Sequence, residues 1–298
     1  CVKVPLSKRN RLPEVFTASA MIWPTLPGGE KQAVLSVGVA NSGTAFILGL
    51  DATGRPWAAI RLVDDSWAEC TLHTPLDERR WVHLSVGVSQ IDGFLKLRCS
   101  SVQLTETSQS ALAKPPALGS KTPNTLIIAA AEDKQRQMHF NGKIDSPAIW
   151  IGDLDLGSAR LADNQAPIFA RWDFSKDISS CRVPDMGPNQ LHGETINFPT
   201  RAMTGANWDG TEMCWRHAPD HYGAIHFHED DIYDFGWATD FSFQIPGNLK
   251  SGIYGIRLEQ QGHHDTIPLF VCPPRGRPTA RLGLLVSTFT YTVYGNHA

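Results

Sequence analysis

Short apolar runs separated by turn signals recur along the first half of the chain, and this pattern restricts the fold more than any other feature. Between residues 15 and 152 the runs include VFTASAMIW, AVLSVGVA, TAFILGLD, WVHLSVGV and FLKLRC. Turn signals such as LPGG, DATG and QIDG lie between them. Many short strands joined by polar turns are typical of a sandwich or jelly roll rather than of a parallel α/β sheet.

Other stretches carry no strand signal. The segment 103–123 is rich in Ser, Thr and Pro and is predicted to be a loop. Residues 156–164 form at most about two helical turns, and no longer helical pattern occurs. Residues 171–214 are polar with scattered Gly and Pro, which predicts irregular connections with a few short strands.

The run WVHLSVGV shows how one strand of such a sandwich divides its side chains. A strand places successive side chains on opposite faces. The run therefore predicts one apolar face and one mixed face. The apolar face holds Val82, Leu84, Val86 and Val88, and the mixed face holds Trp81, His83, Ser85 and Gly87. An apolar face and a mixed face are what one layer of a sandwich requires.

The composition excludes several classes of partner. The chain has 298 residues, of which 42% are hydrophobic and 19% charged, which suits about two folded domains. A net charge of −3 without a basic stripe argues against nucleic-acid binding. No apolar run approaches the roughly 20 residues of a membrane helix, so we expect neither a nucleic acid nor a membrane among the partners.

The six cysteines are spaced widely and irregularly, and no Cys-x-x-Cys pair occurs. This spacing disfavours a zinc knuckle or a thioredoxin-type site and favours free thiols. The sequence has no Asn-x-Ser/Thr acceptor and no signal peptide, which favours a cytoplasmic location.

A second β pattern occupies residues 215–272, where YGAIHFH, DFSFQIP, GIYGIRLE and TIPLFVC are predicted strands of a small immunoglobulin-like sandwich. After a Pro-rich linker, RLGLLV is apolar on both faces, which suits a strand inside a parallel sheet. The predicted divisions are therefore an N-terminal segment (1–14), a jelly roll with a C-terminal extension (15–205), the immunoglobulin-like sandwich (206–272), the linker (273–279) and the first strand of a truncated α/β domain (280–298).

A series of stretches in a fixed order resembles a known family. RRWVHLSVGV and HFNGKIDSPAIW resemble laminin-G/concanavalin-like jelly rolls. They are followed by ARWDFS, LHGETINFPTRAMTGANWDG, AIHFHEDDIYDFGWATDF, SGIYGIRL and TFTYTVYGN. Together these stretches resemble the N-terminal two-thirds of the large (beta) subunit of N,N-dimethylformamidase and its relatives, over nearly all of residues 15–298. The resemblance implies that a catalytic domain with a glutamine-amidotransferase-like α/β fold follows the two sandwiches.

The resemblance also implies an activity and a metal. It implies an amidohydrolase that cleaves the C–N bond of small N-substituted formamides to formate and an amine, with mononuclear ferric iron as Lewis acid. Either Tyr291 or Tyr294 corresponds to one iron ligand, while a second Tyr and a carboxylate would lie beyond Ala298. A phenolate is a hard anionic oxygen donor, which suits ferric iron.

Several expectations about partners follow from the resemblance. This chain alone should be inactive, because it holds at most one of the three ligands. The implied partners are the remainder of the catalytic domain or a downstream chain, a small subunit, and further copies of the chain in a homo-oligomer.

The stretch HFHEDD leaves three interpretations open. His226 and His228 lie on the same side of a predicted strand and precede Asp230 and Asp231. They fit a metal site, a structural turn, or an interface with the catalytic domain, and the structural interpretation is favoured because the local signal is weak.

The alternative function for the whole chain is a non-catalytic β-sandwich module that recognises a glycan or a protein partner. Such binding needs an exposed aromatic side chain near polar groups, and Trp57 and Trp67 are the nearest candidates.

Overall fold

A computed structural model describes residues 1–7, 9–39, 43–101, 104–120, 122–131, 138–154, 167–229, 238–288 and 290. The chain divides into two compact units, Cys1–Asp231 and Ile232–Ala298. Almost all of the described secondary structure is β, which confirms the predicted class. No helix in the described part of the chain has the length and hydropathy needed to cross a membrane.

The strands follow one another with little else between them. In chain order they are β1 (Val2–Pro5), β2 (Val15–Pro24), β3 (Gln32–Val39), β4 (Gly43–Leu50), β5 (Pro56–Arg61), β6 (Trp67–Thr71), β7 (Val82–Ser89), β8 (Phe94–Ser100), β9 (Thr105–Ala111), β10 (Pro123–Ile128), β11 (Gly142–Ile151), β12 (Ile168–Arg171), β13 (Arg182–Val183), β14 (Gly193–Thr195), β15 (Thr200–Met203), β16 (Ala224–Phe227), β17 (Gly252–Gln260) and β18 (His263–Val271). The helical elements are the short α-helix α1 (Ala117–Ser120) and a 3₁₀ turn at Pro219–Tyr222.

The first unit is a sandwich of two antiparallel sheets. Sheet 1 has the strand order β13-β14-β1-β10-β3-β4-β5-β6. Sheet 2 has the order β15-β16-β11-β2-β7-β8-β9, and β12 pairs with β11 beside that path. One apolar core holds side chains of both sheets, and within it the rings of Phe16 and Phe46 meet edge to face at 5.5 Å. The sandwich predicted for this region is therefore confirmed.

Strand β7 confirms the predicted division of its side chains. Val82, Leu84, Val86 and Val88 belong to the core between the sheets. The mixed face is covered as well, because His83 and Ser85 are also buried. Above this face Arg98 Nη2 donates to Asp153 Oδ1 at 2.7 Å. Gly87 permits that ion pair, since a Cβ at this position would collide with the Asp153 carboxylate.

Two segments outside the predicted strands also enter the sheets. Residues 1–14 are not merely a leading segment, because β1 pairs with β10 on one side and β14 on the other. The predicted loop 103–123 contains β9, which pairs with β8 along its whole length. The Ser/Thr-rich sequence of β9 lacks the apolar pattern from which strands are predicted, because an edge strand can leave one face to water. The predicted helix at 156–164 lies outside the described residues.

The strand in AIHFH was assigned to the second sandwich, and the structure corrects this. Strand β16 pairs with β11 from Gly142↔Phe227 to Asp145↔Ala224 and with β15 on its other side. Ile225 and Phe227 are buried in the core of the first unit. The contact boundary between the units accordingly lies at Asp231/Ile232.

The described part of the second unit contains one hairpin, in which β17 pairs with β18 from Gly252↔Val271 to Gln260↔His263. The strand predicted in DFSFQIP does not form among the described residues, and Phe241 and Phe243 are exposed. RLGLLV likewise forms no strand there, and its leucines are exposed. A strand needs a hydrogen-bonded neighbour, whatever its local pattern, and the neighbours predicted for RLGLLV belong to the further part of the catalytic domain.

All six cysteines are free, as their spacing predicted. Cys70 and Cys99 are buried within strands. Burial raises the pKa of the Cys99 thiol to about 12, and the nearby Glu106 carboxylate adds to that rise. A thiol that resists ionisation is a poor nucleophile and a poor metal ligand, so Cys99 is a packing residue.

Candidate functional site

The structure describes only part of the predicted site. Tyr291, Tyr294, Asp230 and Asp231 lie outside the described residues. His226 and His228 are described, and they lie on the outer side of sheet 2 near the end of the first unit.

The two histidines lie close together, as the alternation predicted. His226 projects away from the core because its strand neighbours Ile225 and Phe227 are buried in it. His228 follows directly after β16, and the centroids of the two imidazole rings are 5.6 Å apart. This spacing places two imidazole rings side by side on one surface.

Lys143 is the cross-strand neighbour of both His226 and Trp23 in sheet 2. Its Nζ lies 4.4 Å from the centroid of the Trp23 ring and donates to Thr204 Oγ1 at 2.7 Å. No carboxylate forms an ion pair with it among the described residues, and burial lowers the pKa of its ammonium group. The aromatic face and the threonine together stabilise a cation that has little access to water.

A hydrogen-bond network connects the end of β16 to the start of β11. The backbone N–H of Glu229 donates to Asn141 Oδ1 at 3.1 Å, and Asn141 Nδ2 donates to Glu229 Oε1 at 3.3 Å. The backbone N–H of buried Asn141 donates in turn to Gln32 Oε1 at 2.9 Å. Burial lowers the pKa of nearby His139, and the Glu229 carboxylate opposes that shift. The network holds Glu229 beside the two histidines.

We call these five side chains (Trp23, Lys143, His226, His228 and Glu229) the β16 patch. It combines an aromatic ring, a cation, two imidazoles and a carboxylate on one side of sheet 2. The described residues bring no three His, Cys, Asp or Glu side chains together in an arrangement that could hold a metal ion. The β16 patch therefore offers hydrogen-bonding groups of several kinds, but its described residues do not form a metal centre.

Asp145 is a buried carboxylate two residues after Lys143, and sequence reasoning did not single it out. Its Oδ2 accepts from the backbone N–H of Ala206 at 2.9 Å, and its Oδ1 accepts from Ser146 Oγ at 2.8 Å. Burial raises the pKa of Asp145 to about 6; the hydrogen bonds oppose this rise, and the charge of Asp173 adds to it. Gly205 must be glycine here, since a Cβ would lie 2.5 Å from Asp145 Oδ2.

Replacement of Asp145 with asparagine should change how the free energy of unfolding depends on pH. The folded state holds the Asp145 proton more tightly than the unfolded state, so its contribution to stability is full below about pH 4 and is lost as pH rises through about 6. The neutral amide removes this loss while still accepting from Ala206. As pH rises between these values, the free energy of unfolding of the variant should increase relative to that of wild type by on the order of 2–3 kcal/mol.

Urea titrations of both proteins at several pH values between 4 and 7 measure that difference directly. Other carboxylates titrate in the same range in both proteins, so only the difference between the two curves reports on Asp145. A stability difference that stays constant with pH would show that the carboxyl is not held in its neutral form.

Arg201 is a second residue that the sequence did not reveal. Its guanidinium group donates to five backbone carbonyls of one loop. Nη1 donates to the carbonyls of Asp177, Ser180 and Arg182 at 3.0, 2.8 and 2.8 Å. Nη2 donates to those of Phe174 and Lys176 at 3.1 and 2.8 Å. Burial lowers the pKa of its guanidinium group, and the Asp177 charge opposes that shift. Arg201 thus holds the 174–182 loop against β15.

The two tryptophans considered for glycan binding differ in exposure. Trp57 is buried, and its Nε1 donates to Glu69 Oε2 at 3.0 Å while the Lys31 ammonium lies over its ring. Trp67 is 37% exposed and has the Arg61 guanidinium 5.1 Å from its ring centroid. Of these two tryptophans, only Trp67 therefore offers aromatic surface to a ligand.

Two curated proteins are similar to this chain over nearly its whole length. The N,N-dimethylformamidase beta subunit of Paracoccus aminophilus is 32% identical over 313 residues, which cover 94% of this chain and 40% of that protein. The N,N-dimethylformamidase beta subunit of an Alcaligenes species is 30% identical over 309 residues, with the same coverage of 94% and 40%. The chain thus spans about 40% of the length of these relatives.

Solved structures resemble the fold more distantly. A putative carbohydrate-binding protein from Bacteroides ovatus superposes with a TM-score of 0.47 at 13% identity, over 67% of this chain and 59% of that one. The CBM40 of the Ruminococcus gnavus IT-sialidase gives 0.43 at 14% identity, over 52% and 88% of the two chains.

A family model adds to the match with the curated relatives. The model for the C-terminal part of N,N-dimethylformamidase beta subunit-like proteins matches residues 200–298, which include Tyr291 and Tyr294. This match and the two curated proteins confirm the resemblance predicted from the ordered stretches: the chain is similar to the beta subunit of N,N-dimethylformamidase.

Proposed function

We propose that this chain is the N-terminal portion of a dimethylformamidase-like amidohydrolase. The reaction is hydrolysis of the C–N bond of a small N-substituted formamide, which yields formate and an amine. The observation that carries the proposal is the 30–32% identity to N,N-dimethylformamidase beta subunits over 94% of the chain. Because those relatives extend well beyond the matched region, the proposal includes a longer polypeptide whose further residues complete the active site.

The proposal assigns one iron ligand at most to this chain. The described residues bring no three His, Cys, Asp or Glu side chains together in an arrangement that could hold a metal ion, and Tyr291 and Tyr294 lie outside them. Tyr291 or Tyr294 is the proposed ligand, and its phenolate oxygen is the donor type that a hard cation prefers. When bound, the iron would supply Lewis acidity toward the amide carbonyl.

The β16 patch is proposed to contact the catalytic domain. It lies directly before the boundary at Ile232, and its residues include a lysine that is stabilised without a carboxylate. Glu229 is fixed by Asn141, so the patch presents an ordered carboxylate beside two imidazoles. Ordered polar groups of both charge signs favour a specific polar interface, because each can pair with a complementary group on the partner. A small subunit and a homo-oligomer remain further proposed partners.

An amide-hydrolysis assay tests this proposal. The longer polypeptide, expressed with iron, should convert N,N-dimethylformamide to formate and dimethylamine, and the 298-residue chain alone should show no turnover above background. Equal turnover by the two would contradict the proposed division of the active site. If the longer polypeptide does not hydrolyse formamides, and a glycan array gives a signal that Trp67→Ala abolishes, the binding-module function replaces the enzyme.

A further inference from the structure

A cavity of about 580 Å³ opens on the outer side of sheet 1, at the end of the sheet opposite to β6. Strands β13, β14, β1 and β10 form its base. Its lining includes the charged or polar side chains of Lys3, Arg182, His192 and Glu194 and the apolar side chains of Pro5 and Ile196. Its volume lies within the range of about 300–1,000 Å³ that is usual for small-molecule sites. The relatives and the proposed reaction assign it no role.

The charges along the base of this cavity alternate. Glu194 lies directly opposite Arg182 on one neighbouring strand and opposite Lys3 on the other. Neighbouring strands are about 4.8 Å apart, and directly opposed residues project to the same face, so the Glu194 side chain projects between those of Lys3 and Arg182. Arg182 Nη1 donates to Asp177 Oδ2 at 3.1 Å. Glu194, by contrast, forms no ion pair and no side-chain hydrogen bond with any described residue.

His192 adds a neutral donor to the lining. Its Nδ1 accepts from the backbone N–H of Asp185 at 3.1 Å. A ring nitrogen that accepts a hydrogen bond carries no proton, so the neutral ring carries its proton on Nε2. The hydrogen bond therefore leaves an Nε2–H as the donor that this ring can offer to a ligand.

We propose that this cavity binds a free α-amino acid with an apolar side chain. The ligand's ammonium group pairs with Glu194, and its carboxylate pairs with Arg182, with Lys3 and the His192 Nε2–H as further donors. The two charged groups of an α-amino acid are close enough to reach side chains on adjacent strands. Pro5 and Ile196 provide apolar surface for the ligand's side chain. A simple anion would leave Glu194 without a partner, which favours the zwitterion.

Calorimetric titration with three probes of the same shape tests this proposal. L-leucine carries both charges, 4-methylpentanoate carries only the carboxylate, and 3-methylbutylamine carries only the ammonium group. L-leucine should bind saturably to the full chain, and each analogue should bind at least about tenfold more weakly. Binding of 4-methylpentanoate as tight as that of L-leucine would overturn the role of Glu194.

Matched variants complete the test. Glu194→Gln and Arg182→Gln should each weaken L-leucine binding at least about tenfold, since each removes one charge pairing. Glu78→Gln replaces another exposed glutamate outside the cavity and should leave binding unchanged. Unaltered circular dichroism in each variant ensures that a loss of binding is not a loss of fold. No saturable binding of L-leucine to wild type, or unchanged binding to Glu194→Gln, would overturn the proposal.

Discussion

Replacement of Arg201 with methionine is expected to lower the free energy of unfolding of the first unit by about 3 kcal/mol. Methionine keeps a long, unbranched side chain but removes every donor. The guanidinium group of Arg201 donates to five carbonyls of the 174–182 loop. A hydrogen bond from a charged donor contributes about 1.5–3 kcal/mol, but the five are not additive, and water can replace the guanidinium at the more exposed carbonyls.

Two further variants make the test specific. Arg201→Lys should lower the free energy of unfolding by about half as much as Arg201→Met, because an ammonium group has three donors and lacks the planar fork of arginine. Arg182→Gln removes an exposed arginine that pairs with Asp177 at the surface, and it should lower the free energy of unfolding by no more than about 1 kcal/mol. Its backbone carbonyl remains as an acceptor for Arg201.

Urea unfolding followed by tryptophan fluorescence measures these differences. All of the nine tryptophans except Trp237 precede Ile232, so the signal reports mainly on the first unit. Equal unfolding midpoints for wild type and Arg201→Met would mean that the loop does not depend on this side chain.

The sandwich could be predicted from sequence because its signal is local and repeated. In β7 the apolar residues alternate with polar ones, and the structure buries that apolar set between the sheets. In β11 Ile144 and Ile149 are five residues apart, and both reach the core because the register shifts between Asp145 and Ala148, which the alternation alone does not predict. The proximity of His226 and His228 followed from the same period.

Strand partners could not be predicted in the same way. The pattern of β16 predicts a strand, but only the register with β11 and β15 shows that it belongs to the first unit. RLGLLV has the pattern of a strand whose predicted neighbours would follow Ala298, and it has no neighbouring strand among the described residues. In both cases the missing information is non-local, because hydrogen-bonded neighbours are distant in sequence.

Arg201 and Asp145 were missed for a related reason. Arg201 donates only to backbone carbonyls. Every residue type has a backbone carbonyl, so the sequence does not indicate which residues accept these hydrogen bonds. Asp145 has an altered pKa because the segment around Ala206 covers it. Gly205 lies where a Cβ would meet that carboxylate, but the sequence alone does not connect this glycine with Asp145.

Replacement of the iron-binding tyrosine should have the largest effect on activity. In the longer polypeptide, either Tyr291→Phe or Tyr294→Phe should remove one phenolate oxygen from the proposed iron site, while the other substitution leaves the ligands intact. Loss of a side chain that only hydrogen-bonds to a metal ligand lowers metal affinity or activity about 10–100-fold. Loss of a direct ligand should therefore lower both by at least about 100-fold. Phenylalanine keeps the ring, so packing changes little.

The measurement that tests the central claim most directly is made on wild type, Tyr291→Phe and Tyr294→Phe of the longer polypeptide. Bound iron is determined by elemental analysis, and turnover is determined as formate released from N,N-dimethylformamide. The proposal predicts that wild type and one variant contain iron and hydrolyse the amide, while the other variant loses both. Full iron content and full turnover in both variants would contradict it.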